Sequence, residues 1–213
     1  MRDTIAGLTS TATPGALLHR SGLVVRGDAV SESDHLPIRS GPVTVRLSKA
    51  LGSPGPMPDV VGVAVRFPPS TVLVGADSGR WDLMLSGPEH RIAGLPVMRP
   101  AFRWNAVPLT AHGQFQYRER TWRVFGELLT PTNGSGLDLE DLSRGLSRAP
   151  GGLTLTAELD GQPSVPLATI EFGGDPIAED FAGFDPMSVP DDVRPVRGWW
   201  DDLRHAAYRG RNG

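Results

Sequence analysis

Two alternating runs joined by a Gly/Pro-rich connection set the tightest limit on what this chain can fold into. They lie in the stretch Val43–Leu85, VTVRLSKALGSPGPMPDVVGVAVRFPPSTVLVGADSGRWDLML. Val43–Leu47 and Gly62–Phe67 alternate, and Trp81–Leu85 is a third strand candidate. Successive side chains of a strand point to opposite faces, so Val43, Val45 and Leu47 share one face and Thr44, Arg46 and Ser48 the other. The first face is core. The second carries a guanidinium and a hydroxyl two residues apart, and reads either as a solvated surface or as the wall of a polar-mouthed cavity. Arg66 is embedded in the second run, and Asp59 is the acidic residue of the connection between the runs.

Turn residues punctuate the rest, with 26 glycines and 20 prolines among 213 residues. A length of this order suits one domain, a β-barrel especially. A net charge of −3 argues against bulk attraction to nucleic acid. Lys49 is the sole lysine, so nearly every positive charge is a guanidinium, a usage that fits a GC-rich genome. The absence of cysteine excludes disulfides, thiolate metal sites and thiol nucleophiles, and is compatible with a reducing cytoplasm. The N-terminal residues lack the apolar core of a signal peptide, and no run approaches a membrane span. The expectation is a soluble, cytoplasmic protein without a transmembrane segment, with residues 1–15 as a flexible lead-in and 16–213 as a single domain.

Along the chain, Leu23–Val25 predicts a short strand ending at Gly27, and Asp28–Pro42 reads as loop. Ser86–Pro100 reads as irregular, and Phe102–Asn105 and Pro108–Ala111 as short strands. Gly113–Leu129 predicts strand, turn and strand. Asp138–Leu146 has acids at its start and Arg144 late, as a short helix prefers. Leu153–Leu159 is the cleanest alternation in the chain, and Asp160-Gly161 turns it into a second strand at Val165–Phe172. Gly173–Pro195 reads as loop, and Trp199–Arg209 as a helix stopped by Gly210. Short strands with two short helices point to an α+β or β-barrel domain.

The chain has five histidines and two tyrosines, and none of the HExxH, GxSxG, Walker or strand-linked GxGxxG motifs. His90 beside Glu89 is a weak metal signal. On the C-terminal helix candidate, Arg204 and Tyr208 stand four apart and so share a face. A guanidinium beside a phenol favours the phenolate, a hard oxygen donor suited to iron(III). The plainer alternative is an arginine lying over a tyrosine ring.

Four stretches in this order resemble the haem catalases and their smaller catalase-like relatives. His19, Gly22 and Gly27 in HRSGLVVRG are similar to the family's H-x-x-G-x-x-x-x-G. Arg46 to Gly52, RLSKALG, resembles R-F-S-T-V-A-G, and DVVGVAVRF (Asp59 to Phe67) followed by Trp81-Asp82-Leu83 resembles D-P-R-G-F-A-V-K-F and W-D-L. Arg204 to Tyr208, RHAAY, fits R-x-x-x-Y, whose tyrosine ligates haem iron in that family. The resemblance covers Leu17–Leu85 and Phe184–Tyr208, about half of the chain. It implies an α+β fold: a reduced, catalase-like antiparallel β-barrel with a few short helices and a C-terminal helix. It implies haem b as cofactor, with Tyr208 as the iron ligand, Arg204 holding it as phenolate, and Arg46 pairing with a haem propionate. His19 would be the distal acid–base, oriented by Ser48, taking a proton from peroxide at one oxygen and returning it to the other.

The implied activity is weak peroxidase or organic hydroperoxide chemistry on hydrogen peroxide or an organic hydroperoxide, with a small reductant. A homo-oligomer is compatible with it. The chain departs from the family pattern in three places. Gly87 stands at or near the family's distal asparagine, with Ser86 the neighbouring hydroxyl. Ala16 replaces an arginine three residues before the histidine, and no arginine has the place of a further one beyond the tyrosine. The other reading these departures motivate is a catalase-fold protein without haem that binds a lipid or other apolar molecule in the barrel cavity.

Overall fold

The alternation in Val43–Leu85 becomes three consecutive antiparallel strands, and these belong to a ring. The computed structural model of the chain describes residues 21–68, 80–92, 95–160, 162–178, 184–185 and 188–196, with the backbone alone for residues 21, 89–92 and 95–97. The strands are β1 (Ser21–Ser31), β2 (Gly41–Lys49), β3 (Val61–Phe67), β4 (Trp81–Gly87), β5 (Glu89–Ile92), β6 (Leu95–Met98), β7 (Val107–Tyr117), β8 (Arg120–Leu129), β9 (Gly151–Leu159), β10 (Val165–Gly173) and β11 (Arg194–Val196). One helix, α1 (Leu139–Leu146), stands among the described residues. Eight strands close a barrel in the order β7-β4-β3-β2-β1-β10-β9-β8, with β8 pairing back to β7 and every neighbour antiparallel. The far half of β7 also pairs with β11, and β5 and β6 form a separate hairpin.

The fold is therefore mostly β, a correction to the α+β expectation; the barrel itself stands. Strands run through stretches that read as loop or turn. β1 continues past Gly27 to Ser31 because Arg26, Asp28 and Val30 point outward while Val25 and Ala29 point into the core. Ideal Cβ atoms on Gly22 and Gly27 would lie 2.4 Å from the Leu47 carbonyl oxygen and 2.5 Å from that of Glu171. Both glycines thus serve close strand approach, one toward β2 and the other toward β10, rather than a turn. Ser86–Pro100 holds the end of β4 and the β5–β6 hairpin, and Phe102–Asn105 is irregular instead of a strand. The expected helix at Trp199–Arg209 lies outside the described residues.

Pro108–Ala111 and the start of Gly113–Leu129 are one continuous β7, the loop reading of Gly173–Pro195 gives way to β11 at its end, and the capped helix and the last hairpin match. Asp138 caps α1, its carboxylate accepting from the N–H groups of Glu140 (2.8 Å) and Asp141 (3.2 Å), and Leu142 and Leu146 are buried. The β9–β10 hairpin is as expected, with a register shift between Pro166 and Ala168.

Inward side chains of all eight strands form one packed cluster, which includes Leu23, Val45, Val63, Leu85, Leu109, Val124, Leu155 and Ile170. It reaches beyond paired neighbours: a Cβ on Gly126 of β8 would lie 3.1 Å from Leu153 of the adjacent β9 and 3.3 Å from Leu85 of β4, two strands away. Trp81 fills one end, edge-on to Phe115 at 5.3 Å. A barrel of this strand number has an interior that side chains can fill, and here they do.

Candidate functional site

Because Val43, Val45 and Leu47 take the core, Arg46 and Ser48 project from the outside of the barrel, not into it. Pairing in register builds a continuous outer row across five strands: Gly22, Ser48, Gly62, Ser86 and Thr110. A second row, one pleat along, holds Val24, Arg46, Ala64 and Met84. At roughly 4.8 Å per strand the first row spans about 19 Å. Its side chains are hydrogen, hydroxymethyl or threonine, so the surface is flat. It is also buried, unlike an ordinary barrel exterior: Ser48 and Ser86 are each 3% exposed, Val24 1% and Ala64 6%. Described residues that meet this wall include Met98, whose sulfur is 3.7 Å from Ser86 Oγ, and Ile177, whose N–H donates to the Val24 carbonyl at 2.8 Å.

Ser48 Oγ donates to the Gly62 carbonyl at 3.3 Å. Arg46 is half-buried, and burial lowers its pKa by disfavouring the charged form. The sequence-predicted residues Arg46 and Ser48 are thus brought together on one buried face. His19, Arg204 and Tyr208 lie outside the described residues. His90 is described in its backbone alone. Among the described residues no three His, Asp or Glu side chains gather as a metal site.

Below the two rows, ion pairing holds the wall. Arg66 and Asp82 are register partners, joined through Nε–Oδ1 at 2.9 Å and Nη2–Oδ2 at 3.0 Å. Asp82 is 2% exposed and accepts a further hydrogen bond from the Asp185 N–H at 2.8 Å. The Phe184 ring lies 4.1 Å from the Arg66 guanidinium carbon. The Trp-Asp-Leu sequence therefore has two separate duties: Trp81 and Leu83 fill the core, and Asp82 anchors an outer segment.

At the end of the wall, Asp59 organises the β2–β3 connection. Its carboxylate accepts from the N–H groups of Leu51 (2.9 Å), Ser53 (2.8 Å) and Val60 (2.7 Å) and from Ser53 Oγ (2.9 Å). Burial alone would raise its pKa, but these donors together outweigh it and leave the carboxyl below its ordinary range. Lys49 is buried beside this connection and donates to the Gly55 carbonyl at 2.8 Å; burial lowers its pKa, with Asp59 and Asp138 opposing.

One pair escaped the sequence reading. His112 Nε2 lies 2.6 Å from Ser86 Oγ and joins β7 to β4 on the outer face. The signal was present in the alternation of Val107, Leu109 and Ala111, which puts His112 outward. Its partner is set by a long-range pairing that no local pattern reveals.

Two open grooves of about 430 and 620 Å³ run along the β1, β9 and β10 side, and neither is lined by Arg46, Ser48 or Ser86. Among the described residues no helix is long and apolar enough to cross a membrane. No family model matches the chain, and no curated protein matches it either.

Proposed function

We propose that this protein is a catalase-like haem protein with peroxidase or organic hydroperoxide activity, and that the outer wall of β2, β3 and β4 is its haem-side wall. The observation that carries the reading is the buried, flat outer row in which Ser48 sits, with Arg46 one pleat away. A planar group needs small side chains beneath it and a cation at its carboxylate edge, and Gly62, Ala64 and Arg46 supply those. His19 precedes Gly22 by three residues, and Gly22 is the register partner of Ser48. The interior of the barrel is occupied by core side chains, which favours the outer wall over an internal lipid site.

Among the described residues, Arg46 and the small side chains beside it support this reading. Burial disfavours the Arg46 cation, and a propionate brought against it lowers that cost. When bound, haem iron supplies the redox centre for cleaving the peroxide O–O bond. The chain's own share is proton handling and orientation. Neutral His19 accepts the proton of one peroxide oxygen and hands it to the other, making a neutral leaving group. Ser48 would hold the imidazole in line, and Arg204 would keep Tyr208 as a phenolate donor.

The test is an absorbance titration of the purified chain with haem. A stoichiometric Soret band with ferric tyrosinate character is expected, and Tyr208→Phe should change it. A titration with no Soret shift would refute haem binding, and an unchanged spectrum in the Tyr208 variant would refute the ligand.

A further inference from the structure

Large apolar side chains that stand in solvent are few among the described residues: Val30, Leu51, Met57, Phe102 and Leu129. Three of them gather at one end of the barrel. Leu51 (70% exposed) and Met57 (53%) belong to the β2–β3 connection, and Phe102 (68%) to the segment before β7. Backbone bonds lace these segments together. The Asp59 N–H donates to the Ala101 carbonyl at 3.3 Å, and the Ala101 N–H to the Asp59 carbonyl at 2.8 Å. A third segment backs both: the Gly136 N–H donates to the Phe102 carbonyl at 2.7 Å and the Leu137 N–H to the Pro56 carbonyl at 3.0 Å. Single exposed hydrophobics are ordinary, but a gathered patch marks a surface that meets something.

The patch stands on a fixed frame. The Asp59 carboxylate takes four donors, three of them from the connection itself, and the Lys49 ammonium donates to the Gly55 carbonyl at 2.8 Å. These bonds hold the backbone from Lys49 to Val60, and Leu51 and Met57 remain outside it. Charge then decides what the patch fits. Arg99 and Arg103 flank Phe102, both are exposed, and neither forms an ion pair among the described residues. The carboxylates beside the patch are engaged, Asp59 by its donors and Asp138 by the cap of α1. A second copy of the chain would put this same surface on both sides of a two-fold interface. That arrangement brings two pairs of arginines into one contact with no free carboxylate to meet them. A lipid surface with acidic headgroups suits both features, since apolar side chains enter the acyl boundary while guanidiniums stay among the phosphates.

We propose that this end of the barrel docks on an anionic lipid surface, with Leu51, Met57 and Phe102 inserted and Arg99 and Arg103 at the headgroups. The contact is peripheral and uses loops, so it needs no membrane-crossing helix. It does not rest on the haem reading, and the chain can be tested without haem.

The experiment is co-sedimentation of the full chain with vesicles at low ionic strength. One set is phosphatidylcholine alone, and the other is phosphatidylcholine mixed with phosphatidylglycerol. The chain should bind the mixed vesicles and bind the neutral ones more weakly. Phe102→Ser should lower the partition on the order of tenfold or more. Arg99→Gln and Arg103→Gln should each lower it about fivefold on the mixed vesicles and leave the neutral ones unchanged. Val30→Ser and Leu129→Ser, in the open groove on the β1, β9 and β10 side, should bind as the parent does. A parent that does not sediment with the mixed vesicles would overturn the proposal. Parent-like binding by a Phe102→Ser protein that melts normally would do the same. A parent that is dimeric by sedimentation velocity, and monomeric as Phe102→Ser, would give the patch to a second copy and overturn the lipid reading. Should Phe102→Ser not fold, the double variant Arg99→Gln/Arg103→Gln decides: parent-like binding to the mixed vesicles removes the anionic lipid surface, and with it the proposal.

Discussion

The two sides of this barrel use the same inner core and opposite outer surfaces. Along β9 and β10 the outward positions Thr154, Thr169 and Glu171 are exposed, as expected of a sheet with one wet face. Along β3 and β4 the outward positions Gly62, Ala64, Asp82 and Ser86 are buried as well, and Arg66 and Met84 partly so. Alternation of polarity survives on the first side and is lost on the second. A strand buried on both faces, with small and charged residues on its outer one, is there to be covered. The charges need partners and the small residues set how closely the cover approaches.

The largest expected effect comes from breaking the ion pair beneath the covered side. Asp82→Ala leaves Arg66 without its bidentate partner and removes the acceptor of the Asp185 N–H. Loss of one member of a buried pair costs about 3–5 kcal/mol, measurable as a shift in urea midpoint. Glu171→Ala, the same kind of change on the wet side, should stay within about 0.5 kcal/mol. Equal effects at the two positions would erase the distinction between the walls.

Next comes volume. Ala64→Phe places a ring on the flat surface, with an expected cost of about 1–3 kcal/mol or more from overpacking. The same variant should lose haem uptake under the proposed function. Thr169→Phe points a ring into solvent and should change neither melting nor haem binding. A haem titration and a thermal melt of each separates these outcomes. Haem uptake undiminished in a folded Ala64→Phe protein would move the site elsewhere.

How far this was legible depended on whether a residue's partner is near in sequence. Val43–Leu47, Leu153–Leu159 and Val165–Phe172 announce themselves by period two, and Asp138 by its position before the acids of α1. Arg46 and Ser48 were placed on one face for the same reason. Their direction, out of the barrel, was not legible, because which face becomes the interior is decided when β8 pairs with β7 and β1 with β10. Gly27 looked like a turn because a glycine amid charged residues usually is one. Here the close passage of the Glu171 carbonyl sets it, across more than half the chain. His112 was missed for the same kind of reason: its partner Ser86 is 26 residues away on a strand whose end read as loop.

A smaller effect tests the end of the covered wall. Asp59→Asn keeps the shape but replaces a carboxylate that receives four hydrogen bonds. It turns an amide donor toward some of the same N–H groups, for an expected loss of about 1–3 kcal/mol at neutral pH. The sign with pH follows from the lowered carboxyl. A carboxyl whose folded pKa lies below its unfolded value, about 3.9, adds stability above that value and loses it as pH falls toward the folded one. The parent should therefore lose stability below about pH 4 faster than the Asn variant, and the two should converge in acid. Parallel curves would show that the carboxylate is not held as the geometry requires.

The smallest effect belongs to the wet side, and it is the most exacting check on the comparison. Thr154 and Thr169 are register partners on the exposed face of β9 and β10. Each to Ala should cost within about 0.5 kcal/mol, since the site is solvated. A double-mutant cycle should return a coupling of roughly 0.2–1 kcal/mol, the usual size for a cross-strand pair. Ser48 and Gly62 occupy the corresponding relation on the covered side, where Ser48 Oγ is buried and bonded to the Gly62 carbonyl. Ser48→Ala should cost more than Thr154→Ala, about 1–3 kcal/mol if its acceptor is left without a donor. The order of those two numbers matters more than either one. If the exposed threonine proves the costlier loss, burial on the β2 to β4 side does not bear on stability, and the flat row is only a surface.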